Sequence, residues 1–150
     1  GRRSGTENLA GIAGFGVAAA AALRDLDAGV WDRAAGLRDR LEARLTGVEA
    51  TVIGQGGARL PNTTCIVTPG WSGATQVMQM DLAGYAISAG SACSSGKVRT
   101  SRVLQAMGYD EMAAGSAIRV SIGPTTTAEE IDGFAAAWLV QYERFRARAA

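Results

Sequence analysis

Apolar residues recur at spacings of three and four along three long stretches of the chain, which is the spacing of one helix face. The second stretch shows the pattern clearly, because its apolar residues from Val30 to Leu45 are separated by Arg, Asp and Glu. Shorter stretches around Met78 and after Ser101 favour two further helices. The predicted helices cover residues 6–26, 30–45, 74–82, 101–108 and 127 onward.

Short apolar segments between these helices predict strands. They lie at residues 50–53, 63–68, 85–88 and 117–122. They are short, irregularly separated and rich in β-branched residues, which favours a small, largely antiparallel sheet over a doubly wound parallel one. The predicted fold class is therefore α/β, of the α+β kind, with helices covering one face of that sheet.

Two sequences of the capping-box type predict where helices begin. In the first, Ser4 is expected to accept a hydrogen bond from the amide of Glu7, so that a helix begins near Thr6. The second runs from Thr127 to Glu130. A helix start with free amides favours an anion, to which Thr6 would add a hydroxyl; an ordinary helix cap is the alternative.

Composition narrows the possible functions. The chain has 150 residues, of which 47% are hydrophobic, enough for one domain with a core. Its net charge of +1 favours neither nucleic acid nor an anionic membrane as a partner. With no histidine and two cysteines, we expect no metal site and no Cys-His hydrolase. Two cysteines also suggest a reducing, cytoplasmic setting.

The amino-terminal stretch from Leu9 to Leu23 is apolar and follows Arg2 and Arg3. We expect neither an export signal nor a membrane span, since Glu7 interrupts the basic region and the uninterrupted apolar residues are too few. The first residue, Gly1, is not a methionine, and we expect the chain to be a piece of something longer.

Cys93 is the candidate nucleophile. Small residues surround it, and Lys97, Arg99 and Arg102 follow, a cationic setting that favours a thiolate. The composition predicts a movable segment with little packing. Cys65 lies inside a predicted strand with nothing cationic near it in the sequence, and we expect it to be structural.

Two glycine patterns resemble nucleotide-binding motifs, but neither meets the requirements of its motif. Residues 14–19 fit the loose dinucleotide fingerprint but follow no strand. Residues 90–97 resemble a phosphate-binding loop, yet five residues separate the glycines and Val98 replaces the required Ser or Thr.

Arg119 is the candidate for binding a substrate. It lies within an apolar strand, where its guanidinium needs a partner, and a carboxylate of a ligand would suit its planar fork. A salt bridge to an Asp or Glu of the same protein is the alternative.

Four segments resemble successive signatures of cysteine desulfurases of the NifS/IscS type, pyridoxal-phosphate enzymes of the class V aminotransferase family with fold type I. They are R-R-S-G-T-E-N from Arg2, L-P-N-T from Leu60, S-A-G-S-A-C-S-S from Ser88 and A-I-R-V-S-I-G from Ala117. The resemblance covers essentially the whole chain, in the right order.

This resemblance implies that Cys93 attacks the sulfur of an L-cysteine bound to pyridoxal phosphate, becomes a persulfide and releases L-alanine. The sulfur would pass to an acceptor such as an iron-sulfur scaffold or a tRNA-thiolation protein. Arg119 matches the family arginine that binds the substrate carboxylate. Thr6 matches the threonine that reaches the cofactor phosphate of the partner subunit in a homodimer.

The chain departs from the family pattern in one respect. In the family, the Schiff-base lysine and the histidine that stacks on the cofactor lie in an earlier large domain. Lys97 is the only lysine of this chain, and it does not lie at the position of the family's Schiff-base lysine. We therefore expect residues 1–29 to form a helix that links to a large domain, and residues 30–150 to form the small domain. Alone, the chain should be inactive. A selenocysteine lyase and a non-catalytic persulfide carrier remain as alternatives.

Overall fold

The structure is a computed structural model that describes residues 5–90 and 100–149. Its helices are α1 (Leu9–Asp27), α2 (Val30–Arg44), α3 (Gly73–Leu82), α4 (Arg102–Ala106), α5 (Glu111–Ser116) and α6 (Ala128–Ala149). Its strands are β1 (Thr51–Val52), β2 (Thr63–Val67), β3 (Ser88–Ala89) and β4 (Ile118–Ser121).

The strands form one sheet in the order β1-β2-β4-β3, in which each neighbouring pair is antiparallel. This confirms the predicted antiparallel sheet and α+β class. The central pair joins strands that lie more than fifty residues apart in the sequence, with Cys65 opposite Arg119 and Ile66 opposite Ile118. Because side chains alternate along a strand, these two pairs lie on opposite faces.

The main core lies on the face of Ile66 and Ile118. Apolar side chains of α2, α3 and α6 pack there, and the buried ones include Leu41, Met80 and Trp138. Burying such side chains is worth about 1.5 to 3 kcal/mol each before the cost of ordering them. This face matches the predicted layer of helices.

The other face is also partly covered, so the prediction of helices on one face only is wrong. Leu104 of α4 and Ala114 of α5 pack with Val67 and Ala117 at one end of the sheet. The sequence reading missed α5, a helix of six residues capped by Asp110. So short a helix has little periodicity to show.

One predicted capping box is confirmed, and the helix start predicted from the other is wrong. Thr127 Oγ1 accepts from the Glu130 amide at 3.2 Å, and Glu130 Oε2 accepts from the Thr127 amide at 2.8 Å. Helix α1 instead begins at Leu9, where Asn8 Oδ1 accepts from the Gly11 amide at 3.0 Å. Gly5 has a φ of 103°, outside the helical region, and Ser4 lies outside the described residues.

Helix α1 has no buried residue. Large apolar side chains on it, such as Phe15 at 77% exposure, face outward. By a count of uninterrupted apolar residues, the sequence predicts too few here for a membrane span. Helix α1 is nevertheless long and apolar enough to cross a membrane by length and composition, with a mean hydropathy of 1.5. That count missed it because alanine and glycine keep the stretch apolar between its few large side chains.

Candidate functional site

The three predicted site residues fall in different parts of the structure. Arg119 lies in β4, at the centre of the sheet. Thr6 lies in the exposed segment before α1, and the described residues lining the pocket beside Arg119 include none from α1 or the segment before it. Cys93 lies outside the described residues.

Arg119 belongs to a row of side chains that runs across the sheet. Cys65 of β2 lies directly opposite it on one side, and Ser88 of β3 lies opposite it on the other. Directly opposite residues point to the same face. This row is on the face that α4 and α5 cover only at one end, so Arg119 and Ser88 are exposed while Cys65 is half-buried.

A cavity of about 390 Å³ lies beside this row. Arg119 and Cys65 both line it, and its remaining lining is mainly apolar, with Ile53, Leu104 and Met107 among its walls. Gly90 and Ser101 also line it. Two described residues that flank Cys93 in the sequence, Gly90 and Ser101, therefore line the same cavity as Arg119.

Local hydrogen bonding explains the position of Ser101. Ser101 caps α4, and its Oγ accepts a hydrogen bond from the Leu104 amide at 3.4 Å. Leu104 is 4% exposed and packs into the smaller cluster behind the cavity. The helix predicted from residue 101 is thus confirmed, with Ser101 as its cap and Leu104 as its buried residue.

The electrostatics of the cavity differ from the expectation for Cys65. Burial raises the pKa of the Cys65 thiol, and the positive charge of Arg119 partly offsets this rise. The premise that nothing cationic surrounds Cys65 is wrong, because the cation comes from a strand that is distant in sequence. Cys65 is a neutral thiol in the wall of the site, which sequence reasoning missed.

Arg119 forms no ion pair with any Asp or Glu in the part of the chain that the structure describes. Acidic side chains are likewise missing from the described lining of the cavity. Within residues 5–90 and 100–149, the alternative of an internal salt bridge for Arg119 is wrong. Arg119 thus lines the cavity without an acidic partner among the described residues.

Comparison with known proteins gives this site a context. Residues 1–134 match the family described as Aminotransferase class-V. A cysteine desulfurase from Cereibacter sphaeroides is 43% identical over 134 residues, which are 88% of this chain and 34% of that protein. The cysteine desulfurase NifS of Azotobacter vinelandii is 42% identical over 88% of this chain and 33% of its own length.

Solved structures agree with the sequence relatives. The NifS-like protein from Rickettsia africae ESF-5 superposes with a TM-score of 0.81 at 33% identity, over 94% of this chain and 36% of that one. The chain thus spans about a third of the length of the relatives it matches. The family match covers most of the chain and includes Arg119, Cys93 and Thr6, and on this evidence the chain belongs to the aminotransferase class-V family, with NifS-type cysteine desulfurases among its relatives.

Proposed function

We propose that this chain is the part of a pyridoxal-phosphate-dependent cysteine desulfurase that supplies the reactive thiol and the substrate-carboxylate site. One observation carries the proposal: Arg119 and both ends of the segment containing Cys93 line the same cavity. Cys93 follows Gly90 by three positions in the sequence, and a chain can span at most about 11 Å over that distance. A carboxylate bound by Arg119 and the Cys93 sulfur would thus share one site.

In this reaction the thiolate of Cys93 attacks the sulfur of L-cysteine. A sulfur-sulfur bond forms, the carbon-sulfur bond of the substrate breaks, and the substrate carbon takes a proton to leave as L-alanine. Pyridoxal phosphate, when bound, supplies the electron sink that this bond cleavage needs. Arg119 holds the substrate carboxylate while Cys93 receives the sulfur and passes it to an acceptor protein.

The described residues fit a limited share of a pyridoxal-phosphate site. The Thr6 side chain is exposed and offers a hydroxyl to the phosphate, across the interface of a homodimer. The start of α1 has fewer free donors than the sequence suggested, since the Leu9 amide donates to Glu7 and the Gly11 amide to Asn8. Residues 5–90 and 100–149 contain no lysine for the aldehyde. In this proposal that lysine lies elsewhere in the protein.

The domain arrangement follows from α1. In the same proposal, residues 1–29, which contain α1, link to a large domain, residues 30–150 form the small domain, and the protein works in the cytoplasm. Support for the link comes from the uncovered apolar side chains of α1, which a large domain would bury, and from the relatives, of whose length this chain spans about a third. A lipid bilayer is the competing cover, on the grounds of length and composition.

The test uses the full-length protein with L-cysteine and a thiol reductant. We expect Cys93→Ser to keep the cofactor absorbance and to lose release of sulfide and alanine. Undiminished turnover by this variant would contradict the proposal. The 150-residue chain alone should show neither absorbance nor turnover.

The two alternatives predict different results in the same assay. A persulfide carrier would gain sulfur on Cys93 only when a separate desulfurase is added. A selenocysteine lyase would act on selenocysteine and leave cysteine unchanged. Turnover of L-cysteine by the unmodified full-length protein, with no added enzyme, would exclude both.

A further inference from the structure

The side chains that flank Arg119 in the sheet are both uncharged. Cys65 and Ser88 lie directly opposite it on the two neighbouring strands, on the same face. The Cβ atoms of such pairs are about 4.5 to 5.5 Å apart, close enough for the side chains to interact. The residue opposite Arg119 therefore has direct influence on what the guanidinium can bind.

Of these two neighbours, only Cys65 lines the same cavity as Arg119, so it is the one expected to affect ligand binding there. It is half-buried, and its side chain is one of the smallest that can fill a strand position. Burial keeps the thiol protonated by raising its pKa, despite the charge of Arg119. Cys65 thus contributes neither a counter-charge nor bulk.

An acidic residue at this position would act differently. Opposite charges in directly facing strand positions attract each other, and Arg with a carboxylate forms a pair with two parallel hydrogen bonds. A ligand carboxylate would then have to displace an internal partner. The ligand that the Arg119 guanidinium can bind therefore depends on which side chain occupies position 65.

We propose that Cys65 determines the specificity of this site for ligands that carry a carboxylate, because a small neutral side chain opposite Arg119 leaves the guanidinium for the ligand. The proposal rests on the proposed function of Arg119 as the carboxylate-binding residue. Cys65 is a specificity-determining neighbour and takes no part in sulfur transfer.

The experiment compares two probes that differ in the carboxylate. L-alanine carries it and L-alaninol has an alcohol in its place, and their dissociation constants are measured by titration calorimetry on the full-length, cofactor-loaded protein. The unmodified protein should bind L-alanine about tenfold to a hundredfold more tightly than L-alaninol, which is the range of one charge-assisted pair.

Cys65→Asp should abolish this preference by pairing with Arg119. Cys65→Asn has the same shape without the charge, and it should retain the preference. Should Cys65→Asp fail to fold, Cys65→Glu supplies the same charge on a longer side chain. A preference that survives in the folded acidic variant would overturn the proposal, and so would its loss in Cys65→Asn.

The variant Arg119→Gln distinguishes a failure of the inference about Cys65 from a failure of the proposed role of Arg119. If the preference for L-alanine survives in Arg119→Gln, the assignment of Arg119 is wrong and the inference about Cys65 falls with it. If Arg119→Gln loses the preference while Cys65→Asp keeps it, only the inference about Cys65 is wrong. Arg148→Gln, which removes one positive charge from the exposed end of α6, should leave the preference unchanged.

Discussion

Gly73 lies so close to Ala117 that a Cβ atom added to the glycine would stand 2.7 Å from the Ala117 carbonyl oxygen. The same atom would lie 3.0 Å from the Cβ of Ala89. Gly73 is the first residue of α3, Ala117 leads into β4, and Ala89 ends β3. The absence of a side chain at Gly73 thus allows α3 to approach the two strands that carry the site.

We predict that Gly73→Ala destabilises the chain by about 1 to 3 kcal/mol, because the methyl group has no space between backbone atoms. The backbone conformation of Gly73 is not the left-handed one, so the effect is steric. Urea unfolding followed by tryptophan fluorescence measures it, since Trp71 and Trp138 are buried.

Gly36→Ala is the matched control. Gly36 lies within α2, and a Cβ atom there would meet nothing within 4 Å. This substitution should stabilise the helix by about 0.5 to 1 kcal/mol. Equal effects of the two substitutions would show that close packing at Gly73 has no energetic importance.

A second prediction concerns the ion pair between Glu42 and Arg59. Their two hydrogen bonds measure 2.7 and 3.0 Å, and Glu42 is 6% exposed. Burial would raise the pKa of the Glu42 carboxyl, but the polar contacts of the carboxylate, led by the hydrogen bonds and the charge of Arg59, outweigh it, so the net shift is downward. The carboxylate form therefore stabilises the fold.

The sign of the pH dependence follows from this lowered pKa. The contribution of Glu42 is present in full above its unfolded pKa of about 4.3 and is lost as pH falls through the lower folded value. Glu42→Gln should cost about 2 to 3 kcal/mol at pH 7, since it breaks a buried charge-assisted pair. It should also flatten the fall in stability between pH 5 and pH 3, measured as urea midpoints.

Asp132→Asn provides the comparison for Glu42. Asp132 pairs with Arg40 and Arg44 at the surface, where its side chain is 29% exposed. Solvent screens such pairs, so we expect a smaller loss than for Glu42→Gln. A larger loss from Asp132→Asn would contradict the importance assigned to burial of Glu42.

The outcome for Cys65 shows what the sequence could and could not predict. Helices α2 and α6 follow from their own periodicity, and the cap at Thr127 follows from residues three apart. The cation beside Cys65 depends on the pairing of β2 with β4, more than fifty residues away. Register between distant strands is fixed by packing of the whole sheet, which local patterns do not contain.

Arg119 shows the opposite case. A charged residue inside an otherwise alternating apolar strand was enough to single it out. Its position opposite small neutral residues could be known only from the order of the strands in the sheet. The cavity beside it could be known only from the placement of α4, which lines that cavity together with β4. The site was therefore predictable as a list of residues and not as an arrangement.

A third prediction tests helix α1 as a link that stabilises nothing in the small domain. None of its residues is buried, so removing residues 1–28 should change the free energy of unfolding of the remainder by less than about 0.5 kcal/mol. Urea unfolding of the shortened and complete chains measures the difference. A loss of several kcal/mol would place α1 within the small domain and contradict the boundary at residue 29.

The same comparison should show a change in association. Exposed apolar side chains such as Ile12 and Phe15 favour self-association of the complete chain when nothing covers them. Removing residues 1–28 should reduce it, as measured by analytical ultracentrifugation. Binding of the complete chain to neutral phosphatidylcholine vesicles, lost on this deletion, would instead favour a bilayer as the cover.

The last prediction tests the electrostatic contact between Cys65 and Arg119 directly, in a Cys93→Ser background of the 150-residue chain. Iodoacetamide reacts with thiolates, so its rate reports how much of the Cys65 thiol is deprotonated at a given pH. Because burial raises the pKa of Cys65, the rate at pH 7 should be low and should keep rising well above pH 8.5. Arg119→Gln removes the charge that lowers this pKa, so alkylation at pH 8 should slow by about threefold or more, as followed by mass spectrometry.

Arg148→Gln should leave the rate unchanged, which separates the contact from a general effect of net charge. A faster rate in Arg119→Gln would mean that the arginine shields the thiol from the reagent and that its charge does not govern Cys65.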